Sequence, residues 1–436
     1  MKKHPKGLYL LFTVEMWERF SYYGMRALLI FYLTKTWVEG GLGIDEQTGN
    51  LIYGFFTGFV YFTPIIGGWL ADNYLGQRKS ISIGAFTMML GQFCLAFDQS
   101  KTSLFLGLAL LIIGNGFFKP NISVLVGQLY APNDKRKDAA FTIFYMGINL
   151  GALLAPLITG YLAVKYSYNY GFFAAAIGML LGQLLFMFLG NKYLGDIGKK
   201  PSVTKQLNYS ESGNIPLTKE EKDRTKVIFF IVFFVIFFFA GFEQAGSSFS
   251  LYTEKYIQRE VFGFTIPSAW FQSVNPLFIV LLAPIFTLLW NWLAYKNNEP
   301  NIPIKMGLGM ILLGLGFVLM VGAVMERGGD IADNSIKANL AWLVFAYLLH
   351  TLGELCLSPI GLSMVSKLAP VKLASILMGV WLMSSFVANI AAGFLASSVS
   401  KMGALSIFAV IALISIVLGF VLLAINKRLF KMMHLE

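Results

Sequence analysis

Long apolar runs alternate with short polar breaks along the 436 residues. A helix that crosses the hydrocarbon core of a bilayer needs about 20 mostly apolar residues. By that measure, runs near 8–34, 48–71, 79–97, 103–130, 138–164 and 171–190 predict six spanning helices. Runs near 225–250, 268–293, 304–325, 338–366, 372–397 and 404–426 predict six more. Between the sets lies "NKYLGDIGKKPSVTKQLNYSESGNIPLTKEEKDR", residues 191–224, which is too polar to enter a membrane. The expected organisation is an all-α membrane protein with twelve spans. It would comprise a six-helix bundle at 1–190, a linker at 191–224 and a second six-helix bundle at 225–436. Pro64, Pro120, Pro156, Pro276, Pro284 and Pro359 fall inside the runs. Proline frees a carbonyl and bends a helix, which suits helices that line a cavity, although membranes also tolerate proline for no special purpose.

Composition agrees with lipid as the main solvent. Hydrophobic residues make up 56% of the chain and charged residues 13%, against about 25% charged in an average soluble domain. A net charge of +11 raises the question of nucleic acid, but no basic, aromatic-laced soluble segment is present to bind it. The cations sort by side instead. Of the Lys and Arg residues outside the spans, 23 fall in the terminal and linker-side loops and 8 in the opposite loops. That bias puts both termini and the linker in the cytoplasm, with the chain multi-pass in the cell inner membrane. The basic N-terminus, "MKKHPKG", precedes an apolar stretch of about twenty-five residues. That stretch carries charges and has no small-x-small cleavage site, so it is read as an uncleaved first span. Cys94 and Cys356 both lie in apolar runs, and no disulfide framework is expected.

Seven strong charges stand inside these spans: Glu15, Glu18, Arg19 and Arg26 in the first, then Lys119, Glu243 and Glu354. Each costs roughly 2.5–3.5 kcal/mol at the bilayer centre even on a lenient scale. They must therefore pair or line water. At about 100° per residue, Glu15, Glu18, Arg19, Tyr22, Tyr23 and Arg26 share one side of the first helix, while Trp17, Phe20 and Ser21 face away. A structural salt-bridge network would explain Glu18 and Arg19 alone. The whole set is sorted by sign, however. All three cations belong to the first six spans, and the later spans contribute two carboxylates, Glu243 and Glu354. A cavity with one cationic and one anionic wall suits a zwitterion. Asn149 and Asn275 could hold an amino terminus or a carbonyl. Tyr22, Tyr23, Tyr61 and Trp381 could wall side-chain pockets, although each aromatic taken alone is ordinarily packing. The acids also offer proton sites, because a Glu that changes Arg partners changes its proton affinity. His350, four residues before Glu354, is read as a structural histidine rather than a relay.

The residues resemble a known family at this point. "EMWERFSYYG", Glu15–Gly24, is similar to the ExxERFxYYG signature of the proton-dependent oligopeptide transporters within the major facilitator superfamily. "FYMGINLG", Phe144–Gly151, resembles that family's FYxxINxG signature, and "GGWLADNYLGQRKS", Gly67–Ser80, the superfamily loop between spans 2 and 3. "GFFKPNIS", "FEQAGSS", "FQSVNPLFI" and "GELCLSPIG" resemble family segments in the same order, so the likeness covers nearly the whole chain. It implies the major facilitator fold and proton-driven import of di- and tripeptides by alternating access. Protons would be the coupling ion, with no cofactor or metal. Glu15, Glu18, Arg19 and Glu243 would belong to the proton-coupling set. Tyr22, Tyr23, Arg26, Tyr61 and Lys119 would line the peptide site on the N-terminal side. Asn149, Asn275, Glu354, Ser358 and Trp381 would complete it. Arg26–Glu243 and Lys119–Glu354 would be gate ion pairs. Two extra helices found between the bundles of many bacterial relatives have no room here. No histidine stands on span 2, which leaves the carboxylates as proton carriers.

Other classes fit less well. The sorted walls argue against a drug or sugar antiporter, and the intact acids argue against a nitrate carrier. A transporter of another small zwitterionic or anionic solute, such as an amino acid, is the alternative. No HExxH, no GxSxG with triad partners and no metal-ligand cluster appears, so the chain is not expected to be an enzyme. The expected partners are peptides, protons and the bilayer, with no nucleic acid, and the chain is expected to function as a monomer.

Overall fold

The computed structural model describes residues 3–131, 134, 136–201, 217–331 and 333–434; much of the 191–224 linker therefore lies outside the described residues. Six long helices precede the linker: α1 (Lys6–Thr34), α2 (Glu46–Leu70), α3 (Gln77–Phe97), α4 (Lys101–Gln128), α5 (Lys137–Lys165) and α6 (Tyr168–Leu194). After it come α7 (Lys219–Phe242), a short α8 (Ser248–Tyr256), α9 (Val274–Tyr295), α10 (Ile302–Glu326), α11 (Leu340–Leu368), α12 (Ala374–Met402) and α13 (Ala404–Met433). Among the described residues, eleven segments are long and apolar enough to cross a membrane. The charge-bearing α1 is not among them, but with 29 residues it has the length to span, at 1.5 Å per residue.

Helix ends reach a little beyond the apolar runs, because polar caps extend them. Ser100, Asn301 and Asn339 each accept a backbone N–H from the first turn that follows. Thr218 and Glu221 form a reciprocal capping box at the start of α7. Three local features were not anticipated. The end of α2 widens into a π-turn at Ala71–Leu75. The seventh span breaks into a 3₁₀ turn at Glu243–Gly246 between α7 and α8. A two-stranded antiparallel ribbon, β1 (Glu260–Val261) and β2 (Phe264–Thr265), follows α8. Pro276 lies just after the change from a 3₁₀ turn (Ser268–Ser273) to α9. It stands in the first turn of α9, where a helix needs no backbone N–H from it.

The chain forms two compact units. The first comprises Met1–Asp45, Phe59–Ser212 and Ala269–Pro276; the second comprises Glu46–Gly58, Gly213–Ser268 and Leu277–Glu436. In the first, α1 packs on α5 and α6, and α3 packs on α4 and α6. In the second, α7 packs on α12 and α13, and α10 packs on α11 and α13. Setting α8 aside, the same pattern of partners recurs in the same chain order, as an internal repeat requires. Large apolar side chains such as Phe188, Leu288, Leu413 and Phe420 stay exposed on the helix surfaces, as lipid contact demands.

Two segments cross the simple six-plus-six division. The first half of α2 is held in the second unit, where Glu46 pairs with Lys255 and Asn50 Nδ2 donates to the Ala396 carbonyl at 3.4 Å. A methyl added at Gly54 would come within 2.5 Å of the Gly393 Cα, so the two backbones touch where only glycine permits it. Reciprocally, the entry to α9 is held in the first unit. There Trp270 Nε1 donates to the Leu157 carbonyl at 2.9 Å and Ser273 Oγ to that of Leu153 at 2.7 Å.

Candidate functional site

The buried charges of α1 form one cluster. Arg19 Nε lies 3.1 Å from Glu15 Oε1. The same guanidinium grips Glu18 at two points, with Nε donating to Oε2 and Nη2 to Oε1 at 2.8 Å. Two-point contact of this kind is the strong form of an ion pair. Glu15, Glu18 and Arg19 are 3%, 0% and 4% exposed, so water screens them little. Glu15 Oε2 is buried and has no hydrogen-bond partner among the described residues. Two acids thus share one arginine within the cluster.

Packing fixes the arrangement. The opposite face of α1 is locked by Gln92 of α3, whose Nε2 donates to the Ser21 carbonyl at 3.1 Å, and by Phe20 and Trp17 lying over Gly178 and Gly182 of α6. On the α5 side, a methyl at Gly151 would collide with the Met16 carbonyl and the Arg19 Cβ. This glycine of "FYMGINLG" lets α5 press directly onto Arg19. Asn115 of α4 was not singled out from the sequence. It is fully buried and its Nδ2 donates to Glu18 Oε1 at 3.4 Å. The available signal was an amide in an apolar run, one helical turn before Lys119.

Aromatic rings lie against all three cations that stand inside the spans of the first unit. The Arg19 guanidinium lies 5.5 Å from the Tyr22 ring centre, Arg26 lies 5.9 Å from that of Tyr23, and the Lys119 ammonium lies 4.1 Å from that of Tyr61. Tyr22 and Tyr23 meet edge to face at 5.3 Å. Each cation is therefore partly balanced by a ring face. Asn149 is buried, and its Nδ2 is taken by the Tyr145 carbonyl at 2.9 Å, which leaves its amide oxygen for a donor. Asn275, in the first turn of α9, also falls in this unit. The structure thus gathers ten of the fourteen residues singled out from the sequence into the first unit.

The other four stand in the second unit. Glu243 is buried at the first position of the 3₁₀ break. The next residue ties that break down, since Gln244 Nε2 donates to the Ala392 carbonyl at 3.1 Å and Ser248 Oγ to Gln244 Oε1 at 2.6 Å. Glu354 and Ser358 are one turn apart on α11, and the Ser358 hydroxyl is buried without a hydrogen-bond partner among the described residues. Trp381 of α12 lies across Gly361. His350 stacks on Phe249 at 5.5 Å and meets Phe317 at a tilt at 4.9 Å, the surroundings of a packing residue. Cys94 and Cys356 are free thiols.

The geometry has counterparts among known proteins. The model of the POT family matches residues 78–209 and 202–414. The uncharacterized transporter YclF of Bacillus subtilis (strain 168) is 38% identical over 98% of this chain and 95% of its own length. A di-/tripeptide transporter of Lactococcus lactis subsp. cremoris is 33% identical over 98% and 96%. A crystal structure of the peptide transporter POT in complex with sulfate superimposes with a TM-score of 0.91 at 35% identity, over 98% of this chain and 96% of that one.

Proposed function

The chain belongs to the POT family, and from that premise we propose that it is a proton-coupled symporter that imports di- and tripeptides by alternating access. It is a multi-pass membrane transporter of the major facilitator fold, not an enzyme. The observation that carries the proposal is the cluster of two acids on one arginine, with Glu15 Oε2 left without a partner among the described residues. With both acids ionised the cluster has a net charge of −1, and one proton neutralises it. A proton that enters with substrate therefore has a buried place to reside.

The substrate class is supported by relatives whose names are di-/tripeptide transporters. A dipeptide is a zwitterion. Its carboxylate suits Arg26 and Lys119. Its amino end suits Asn149, Asn275, Glu354 and Ser358. Tyr22, Tyr23, Tyr61 and Trp381 wall the side-chain space. Glu243 belongs with Glu15, Glu18 and Arg19 in the coupling set. Arg26 with Glu243 and Lys119 with Glu354 act as gate ion pairs that form and break in the cycle. The moving bodies are the bundles 1–190 and 225–436, with 191–224 as linker. The Lys and Arg distribution supports an inner-membrane location with both termini cytoplasmic. A monomer suffices, because one chain supplies every assigned group.

In liposomes with an alkaline, negative lumen, the protein should concentrate radiolabelled dialanine. One charge moving through 100 mV supplies roughly 2.3 kcal/mol, enough for about fifty-fold accumulation per proton. A protonophore should abolish that accumulation; equal accumulation with and without it would overturn the proposal.

A further inference from the structure

The loop after α6 folds back onto the start of α3. The Arg78 amide donates to the Gly198 carbonyl at 2.9 Å. Its guanidinium donates from Nη1 to the Gly195 carbonyl at 2.9 Å and from Nη2 to Asn191 Oδ1 at 2.8 Å. Left-handed backbone at Gly195 and Gly198 (φ 57° and 71°) makes the reversal possible. These contacts frame a cleft of about 560 Å³ within the first unit.

The cleft is built of two chemistries. Arg78, Lys79 and Lys199 line it with positive charge, and Ser82 and Asn191 add polar atoms. Ile83 of α3 and Met187 of α6 supply apolar walls, and both are exposed, at 42% and 56%. Among the described residues, only two of the five Arg78 N–H donors are engaged. Lys79 is exposed. The acid beside the cleft is Asp196, which pairs with Lys199 at 2.9 Å but is itself 96% exposed on its side chain. Three cations therefore face one solvated acid, directly at the end of a lipid-facing apolar strip.

We propose that this cleft binds the headgroup phosphate of an anionic phospholipid, with the acyl chains running along Ile83 and Met187. A solvated basic loop would need no apolar wall, and a site for free phosphate would gain nothing from one. Guanidinium and phosphate match in shape as well as charge, and basic clefts where spanning helices meet the membrane surface favour anionic headgroups.

The test uses the purified full-length protein in neutral detergent, offered equal amounts of phosphatidylglycerol and phosphatidylcholine, with retained lipid read by native mass spectrometry. Phosphatidylglycerol should be retained in preference. The double substitution Lys79→Gln and Lys199→Gln should cut its retention roughly tenfold or more, as two lysines near a phosphate require. Dialanine affinity should stay unchanged. Equal retention of the two lipids by the unaltered protein would overturn the proposal, and that comparison stands even if the variant fails to fold. A preference that survives both substitutions would also overturn it. So would saturation of the cleft by millimolar inorganic phosphate without lipid, which would make it a site for the free ion.

Discussion

Arg19 holds Glu18 at two points and Glu15 at one, so the two acids are not equivalent. Glu18→Gln removes a charge from the tighter contact and leaves Arg19 with Glu15 alone. We expect concentrative uptake of dialanine to be lost while counterflow persists, because the cavity survives and only the proton site is altered. Concentration against a gradient by Glu18→Gln would remove Glu18 from the coupling set. The cationic wall makes a separate prediction. If Lys119 and Arg26 receive the peptide carboxylate, dialanine amide should compete against labelled dialanine at least about tenfold more weakly than the free acid. A hydrogen bond to a charged group is worth about 1.5–3 kcal/mol. Equal competition would exclude that role. The charges of this site were legible in the sequence because lipid makes each one costly. Asn115 was not, because a neutral amide in an apolar run carries no comparable penalty. Its role emerges only when α4 brings it to Glu18.

Helix packing adds constraints that side-chain chemistry does not show. The Gly54–Gly393 contact lets the first half of α2 lie directly on α12, next to the Glu46–Lys255 pair and the Asn50 bond to Ala396. Gly54→Leu would force the two backbones apart. Cysteines introduced as Asn50→Cys and Ala396→Cys, in a background with Cys94→Ser and Cys356→Ser, should cross-link readily. Adding Gly54→Leu should largely abolish the cross-link. An unchanged yield would mean that the contact is incidental. The twelve long helices could be read from hydropathy, whose period and length survive burial and lipid contact alike. The break at Glu243–Gly246 could not, because its stabilising bond comes from the distant Ala392 carbonyl.

For the whole molecule, the recurrence of one packing pattern in two halves gives the chain the means to alternate. If Arg26–Glu243 is a gate ion pair, it must break in each cycle. Spin labels near the ends of α1 and α7 closest to these residues should then show at least two distance populations, shifted by dialanine and by pH. One unchanging distribution would reduce the pair to a brace. The sorting of cations and acids along the chain was visible in the sequence. The assignment of the first half of α2 to the second compact unit and of the α9 entry to the first was not, because it depends on contacts between residues more than a hundred positions apart. The central claim is that the two-acid, one-arginine cluster couples proton entry to peptide entry. It is tested most directly by following luminal pH in liposomes when an inward dialanine gradient is imposed without any initial pH gradient. The account predicts luminal acidification by the unaltered protein, and none by Glu15→Gln even though dialanine still equilibrates. Dialanine entry without acidification in the unaltered protein, or undiminished acidification with Glu15→Gln, would contradict it.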